Sequence, residues 1–292
     1  MSDDREQKNA IFAAQQTNLQ GIDPRVPRTT QASLVKSEFG LDIPQEIVPL
    51  PSNGLCYPQE SPLHGVEAVE IKSMTAREED ILTSRAYLKK GTVITELIKS
   101  CLIDKSVNPL DMLSGDRNAL MVAIRITGYG AEYGAELECP ECSVKAEHSF
   151  DLGSLPIKRL EITPVVPGSN LFEFKLPYSG KVVRFKFMTG RDEEEIMQLG
   201  EKQKKLGMNV ESNITTALLH ALVSVEGIDD RMKIANFIRS MPARDSLALR
   251  NYIKDNEPGI VMKQETSCPS CGHVEEVSMP LGVSFLWPSA AR

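Results

Sequence analysis

The spacing of apolar positions changes several times along this chain, and each change marks an element. Residues Val66–Met74 alternate, with Val69 and Ile71 on one face, as a half-buried strand does. Thr75 then stands three residues before Glu78, the signature of a capping box, and the further acids Glu79 and Asp80 suit the positive end of a helix dipole. The pattern predicts a helix to about Lys90, ended by Gly91. An apolar helix is expected over Val93–Ile103, a break at Asn108-Pro109, and a third helix over Asp116–Ile126. Farther on, Leu171–Leu176 and Val182–Phe187 flank Pro177-Tyr-Ser-Gly180, which predicts a β-hairpin. Thr189 caps a long charged helix, and Thr215–Val225 and Ser246–Lys254 give apolar helices. The class is α+β, with small sheets plus helical clusters.

The same order of signals occurs twice. Ile71-Lys-Ser-Met-Thr-Ala-Arg-Glu-Glu-Asp80 is echoed by Phe185-Lys-Phe-Met-Thr-Gly-Arg-Asp-Glu-Glu-Glu195. A later helix opens near Arg117 in one half and Arg244 in the other, and a Cys-x-x-Cys knuckle follows each arginine by 22 and 24 residues. Beyond the knuckles, Glu147-x-Ser149-Phe150-x-Leu152 matches Glu276-x-Ser278-Met279-x-Leu281. Two copies are too few for a solenoid, so the expectation is an internally duplicated, two-lobed protein with pseudo-twofold character. The lobes are placed at 44–160 and 161–292, with Val165–Asn170 as the hinge. Residues 1–43 are expected to form an extended or disordered N-terminal arm, rich in Gln, Thr, Asp and Arg and interrupted by Pro24 and Pro27. In Ile47–Pro58, Asn53-Gly54 asks for a tight turn at positive φ.

Charge narrows the function classes. Lys and Arg total 33 against 40 Asp and Glu, a net −7, and no basic segment stands out, so nucleic acid is an unlikely partner. The N-terminus has no cationic flank or apolar core of a signal peptide, and no apolar run approaches bilayer thickness. The expectation is a reducing cytoplasm and no membrane, where Cys-x-x-Cys pairs read as metal sites before disulfides.

Cys139 and Cys142 lie in one knuckle and Cys268 and Cys271 in the other, each between strand-like stretches and each with Pro after its first Cys. Two half-ribbons of this kind predict one split, zinc-ribbon-like site of four cysteines binding a single structural zinc per chain, with no open position for substrate. His148 and His273 lie close enough in sequence to be alternative ligands. A redox pair would need a knuckle that opens a helix, and neither does. Cys56 and Cys101 are expected to be ordinary buried thiols. The acid clusters Glu78–Asp80 and Asp192–Glu195 are helix first turns. Gly128–Gly134 follows a helix and precedes a strand, the reverse of a phosphate cradle. No catalytic residue is assigned, and no enzyme is expected.

Several of these motifs together resemble a known family. They are Leu50-Pro-Ser-Asn-Gly-Leu-Cys-Tyr-Pro58, Met74-Thr-Ala-Arg-Glu-Glu-Asp-Ile-Leu82, Arg125-Ile-Thr-Gly-Tyr-Gly130, the two Cys-Pro-x-Cys knuckles, and Met279-Pro-Leu-Gly-Val-Ser-Phe-Leu-Trp-Pro288. The resemblance is to the baseplate hub-subunit and hub-assembly family of T-even-like, contractile-tailed bacteriophages. It covers roughly residue 45 to the end; Asn53 stands where the family's turn carries lysine. It implies a non-enzymatic tail protein, structural or assisting assembly, whose partners are other phage baseplate and tail proteins. A homo-oligomer is left open. The implied location is the host cytoplasm during assembly, and the virion tail baseplate if the protein stays in the particle. The alternative is a zinc-ribbon adaptor in a nucleic-acid transaction.

Overall fold

Two three-stranded antiparallel sheets, three two-stranded ribbons and the helices laid against them make up the described residues of a computed structural model, which are 34–36, 42–205, 213–279 and 281–287. Most of the expected arm therefore lies outside the described residues. The first sheet is β1 (Leu34–Lys36), β2 (Asp42–Pro49) and β3 (Ala68–Lys72), in that order. Helices α1 (Ala76–Thr83), α2 (Arg85–Lys90), α3 (Val93–Cys101) and α4 (Ser114–Tyr129) follow, then the hairpin β4 (Glu132–Glu138) with β5 (Lys145–Asp151) and the short β6 (Ile157–Lys158). The second sheet begins with β7 (Phe172–Lys175) and β8 (Val182–Phe185). It is completed, after α5 (Gly190–Lys205) and α6 (Asn213–Ala221), by β9 (Leu222–Val225). Helices α7 (Arg231–Ser240) and α8 (Ala243–Asn256) lead to β10 (Gly259–Ile260) and the hairpin β11 (Lys263–Ser267) with β12 (Val274–Ser278).

Helix α4 is the central element. Ala119, Leu120, Met121, Val122, Ala123 and Ile124 are all buried, so the helix is covered on every side rather than along one stripe. Its first turn meets the strand β10 closely: a Cβ on Gly115 would lie 1.8 Å from the Pro258 carbonyl oxygen. Gly115→Ala is therefore expected to cost about 3 kcal/mol through forced separation of α4 from the 258–260 backbone, measured by urea denaturation. Around the second sheet, Phe172 packs on Phe185 and Phe187 with ring centroids 5.6 and 4.7 Å away. Those three rings are fully buried.

Most expected elements are present, and three of the differences concern helices. The helix after Thr75 is interrupted at Ser84, which is extended at ψ 110°, and restarts as α2 before Gly91 ends it in the left-handed region at φ 72°. The apolar helix expected to reach Val225 stops at Ala221; Leu222–Val225 leaves it to pair with β8, because sheet contacts outcompete helical propensity there. Helix α7 is an addition to the expected elements, although Asp230 caps it by accepting from Lys233 N and Ile234 and Ile238 supply its buried face. Asn53 and Gly54 do take positive φ, 50° and 71°. Gly128–Gly134, expected as a turn between helix and strand, is mostly regular: Gly128 and Tyr129 finish α4, Glu132–Gly134 open β4, and only Gly130 and Ala131 link them.

A buried carboxylate is fastened the same way in two places. Glu78 accepts from Lys72 Nζ (2.6 Å), Thr75 N (2.9 Å), Thr75 Oγ1 (2.6 Å) and Ser100 Oγ (2.6 Å). Asp192 accepts from Lys186 Nζ (2.7 and 2.8 Å), Thr189 N (3.0 Å) and Thr189 Oγ1 (2.7 Å), with His220 Nδ1 at 3.6 Å. The strand behind each site also pairs alike, Ile71 with Leu102 and Phe185 with Leu222. Burial alone would raise the Glu78 carboxyl, but bonds from Lys72, Ser100 and Thr75 overcome it and bring it down to about 2. A carboxyl depressed in the folded state stabilises fully above its unfolded pKa and loses that contribution as pH falls to the folded value. Stability carried by Glu78 is thus expected to decline between the unfolded value of 4.5 and about 2. Glu78→Gln should flatten acid unfolding in that window, followed by far-UV circular dichroism.

Candidate metal centre

Each knuckle is a tight turn at the tip of a hairpin, and the two hairpins meet tip to tip. In the first, Ser143 N donates to Cys139 O (2.8 Å) and Cys139 N to Val144 O (3.0 Å). In the second, Gly272 N donates to Cys268 O (2.9 Å) and Cys268 N to His273 O (2.8 Å). Ser143 and Gly272 occupy the same turn position at positive φ, 56° and 73°. This bend, Cys-x-x-Cys followed by a left-handed residue, turns both sulfurs of a knuckle to one side.

All four sulfurs, Cys139, Cys142, Cys268 and Cys271, lie within 4.8 Å of one another. Two of the separations cross between knuckles: Cys139 Sγ to Cys271 Sγ is 3.7 Å and Cys142 Sγ to Cys268 Sγ is 3.6 Å. Those distances far exceed a sulfur–sulfur bond of about 2.05 Å. They match the edge of a sulfur tetrahedron around an ion at about 2.3 Å from each ligand, roughly 3.8 Å. Backbone N–H groups of Cys271 and Ser270 donate to Cys268 and bring its thiol down to about 6. Despite a bond from His273 N–H, desolvation and hydrogen bonds with Cys142 and Cys139 push Cys271 up to about 12. Four thiols this close share one titration, and a cation among them favours their thiolate forms. The donor set fits a metal ion.

Neither histidine joins the cluster. His148 Nδ1 lies 2.6 Å from Thr266 Oγ1 and its ring stacks on Phe150, so it bridges the hairpins beside the site. His273 contributes only its backbone to the knuckle, its carbonyl accepting from Cys268 N and its N–H donating to Cys271. Cys56 and Cys101 are buried away from the cluster, and burial drives both thiols up to about 12. A second group, Asp192, Glu195 and His220, also clusters within 4.8 Å. There the Lys186 ammonium already sits on both Asp192 oxygens, so the charge a metal would supply is present.

Two further acidic residues carry no functional signal in the sequence, and both hold a turn onto a helix. Asp116, wholly buried in the first turn of α4, accepts from Ser52 N (2.9 Å), Ser52 Oγ (2.6 Å) and Tyr57 Oη (2.5 Å). Burial pushes its carboxyl up, while the Ser52 and Tyr57 bonds and the Arg159 charge pull the other way. Asp245, in the first turn of α8, accepts from Tyr178 N (2.8 Å) and Ser179 N (3.1 Å). Among the described residues no helix is long and apolar enough to cross a membrane.

A family model described as T4 bacteriophage base plate protein matches residues 50–287, the greater part of the chain and the part that holds both knuckles. No curated protein and no solved structure matches.

Proposed function

Since the chain belongs to the T4 bacteriophage base plate protein family, we propose that it is a non-enzymatic structural or assembly component of the baseplate hub, fastened by one zinc ion. The observation that carries this is the closed set of four sulfurs drawn from two distant knuckles within a base plate family chain. Four thiolates fill a tetrahedral zinc shell and leave no coordination position for a substrate, so Cys139, Cys142, Cys268 and Cys271 act as a clamp. Such a protein works through protein–protein contact with other tail proteins, in the host cytoplasm during assembly and in the tail of the virion.

The clamp joins two copies of one unit, 44–160 and 161–292, with an arm before them. Paired features support the duplication. Lys72, Thr75, Glu78 and Ser100 correspond to Lys186, Thr189, Asp192 and His220. Asp116 under its turn corresponds to Asp245 under its own. The knuckles share their backbone bonds, and the cross-paired sulfurs are those a local twofold through the metal would generate. Apart from the metal, β6 with β10 is a backbone ladder between the two units, Ile157 opposite Ile260 and Lys158 opposite Gly259.

Quantitative mass spectrometry of purified virions, calibrated against a known tail protein, tests the role. A fixed copy number per particle is expected for a structural subunit, and absence from virions with abundance in infected cells marks an assembly factor. Absence from both removes the hub proposal.

A further inference from the structure

The two turn-on-helix assemblies differ in what lies over them. Above the first, Arg159 Nη1 donates to Leu50 O (2.6 Å) and to Asn53 Oδ1 (2.7 Å), and Leu160 N donates to Pro51 O (3.3 Å). Pro51, Ser52 and Gly54 are buried beneath this cover. The guanidinium also serves as the positive charge facing Asp116. Above the second turn none of the described residues does the same. Pro177, Tyr178, Ser179 and Gly180 are all exposed, Tyr178 by 66%. Leu247, two residues beyond Asp245 on α8, is 51% exposed. Asp245 itself is fully shielded from solvent and has no salt bridge among the described residues. The first turn has its cover, and the second has the acid, the turn and the exposed apolar side chains with no covering segment among the described residues.

We propose that the 177–180 turn is the docking point for an extended segment of a neighbouring base plate protein that presents an arginine followed by an apolar residue. The inference rests on the internal duplication proposed above, and family membership supplies the neighbours. By correspondence with Arg159, the guanidinium donates to the Leu176 carbonyl and the Ser179 hydroxyl and places a charge over Asp245. The planar fork of arginine serves two acceptors at once, which a lysine ammonium does less well. The N–H of the next residue meets the Pro177 carbonyl, as Leu160 meets Pro51, and its side chain covers the Tyr178 ring and Leu247. The partner is thus recognised largely by backbone and charge.

The test places a photo-crosslinking p-benzoylphenylalanine at Tyr178, and separately at the exposed Met232 as a control, in the full chain expressed during phage infection. Base plates are purified and the cross-linked peptides sequenced. The expected result is one dominant peptide from another base plate protein, containing Arg followed by an apolar residue, at position 178 and not at 232. Arg→Gln in that peptide should lower cross-link yield about tenfold or more, with Arg→Lys retaining part of it. Incorporation into base plates without a cross-link at 178, or with a peptide lacking arginine, overturns the inference and leaves the base plate role standing. A cross-link to residues 288–292 of the same chain also overturns it, because the occupant is then not a neighbour. A chain that never enters base plates removes both.

Discussion

Replacing Cys139 and Cys268 with serine, or stripping the metal with a chelator, is expected to separate the two knuckle hairpins and leave the sheets and α4 folded. Sites of this ligand set are worth about 10–16 kcal/mol of apparent binding in small zinc-finger peptides. Here the chain has an apolar core of its own, so the share that reaches global stability is expected to be on the order of 5 kcal/mol. Hydrogen exchange locates the loss. Protection should fall in β4, β5, β11 and β12, while β3 and α4 keep theirs. Metal analysis should find one zinc per chain before chelation. Thiol titration should then show the four knuckle cysteines becoming reactive on chelation, with Cys56 and Cys101, at 2% and 0% exposure, silent until the protein unfolds. A purified protein with no metal and the same hairpin protection in the serine variant would sink the clamp.

Asp116→Ala is expected to be the most damaging single substitution away from the metal, at about 4 kcal/mol. The carboxylate accepts three hydrogen bonds in a wholly buried place, and its removal strands Ser52 N–H, the Ser52 hydroxyl and the Tyr57 hydroxyl together. Tyr57 loses half of its anchoring as well, since its oxygen also accepts from Leu113 N at 2.9 Å. Asp116→Asn keeps the shape and one acceptor, so a cost of about 2 kcal/mol is expected. Asp245→Ala, under the exposed second turn, should cost only about 1 kcal/mol, the scale of a lost helix cap. Urea midpoints for the three variants check this order. An Asp116→Ala loss under about 1 kcal/mol would show that water reaches the stranded donors.

What sequence revealed here depended on how far apart the cooperating residues lie. The capping box at Thr75 and Glu78 spans four residues and was legible, as were the left-handed stop at Gly91 and the metal-type spacing within each knuckle. The proposed repeat rests in sequence on a Lys-x-Met-Thr-x-Arg core that stands in both halves. Asp116 gave no signal, since its partners Ser52 and Tyr57 lie 64 and 59 residues away and an Asp in a first helical turn already has an explanation in the dipole. Leu222–Val225 misled, because a short apolar run after a helix has no period that separates strand from helix. The break at Ser84 lacks the usual proline or glycine. Sequence could also propose that the knuckles share an ion, but which sulfur lies nearest which depends on how the hairpins meet.

The crossing of the sulfur pairs ties the metal site to the order of synthesis. Cys139 meets Cys271 at 3.7 Å and Cys142 meets Cys268 at 3.6 Å, so these contacts span 132 and 126 residues. A nascent chain that has released its first knuckle from the ribosome holds Cys139 and Cys142 without a complete second pair until residue 271 has emerged. A product cut short before that point lacks one or both sulfurs of the second knuckle. The four-sulfur set is therefore whole only in a chain translated past residue 271.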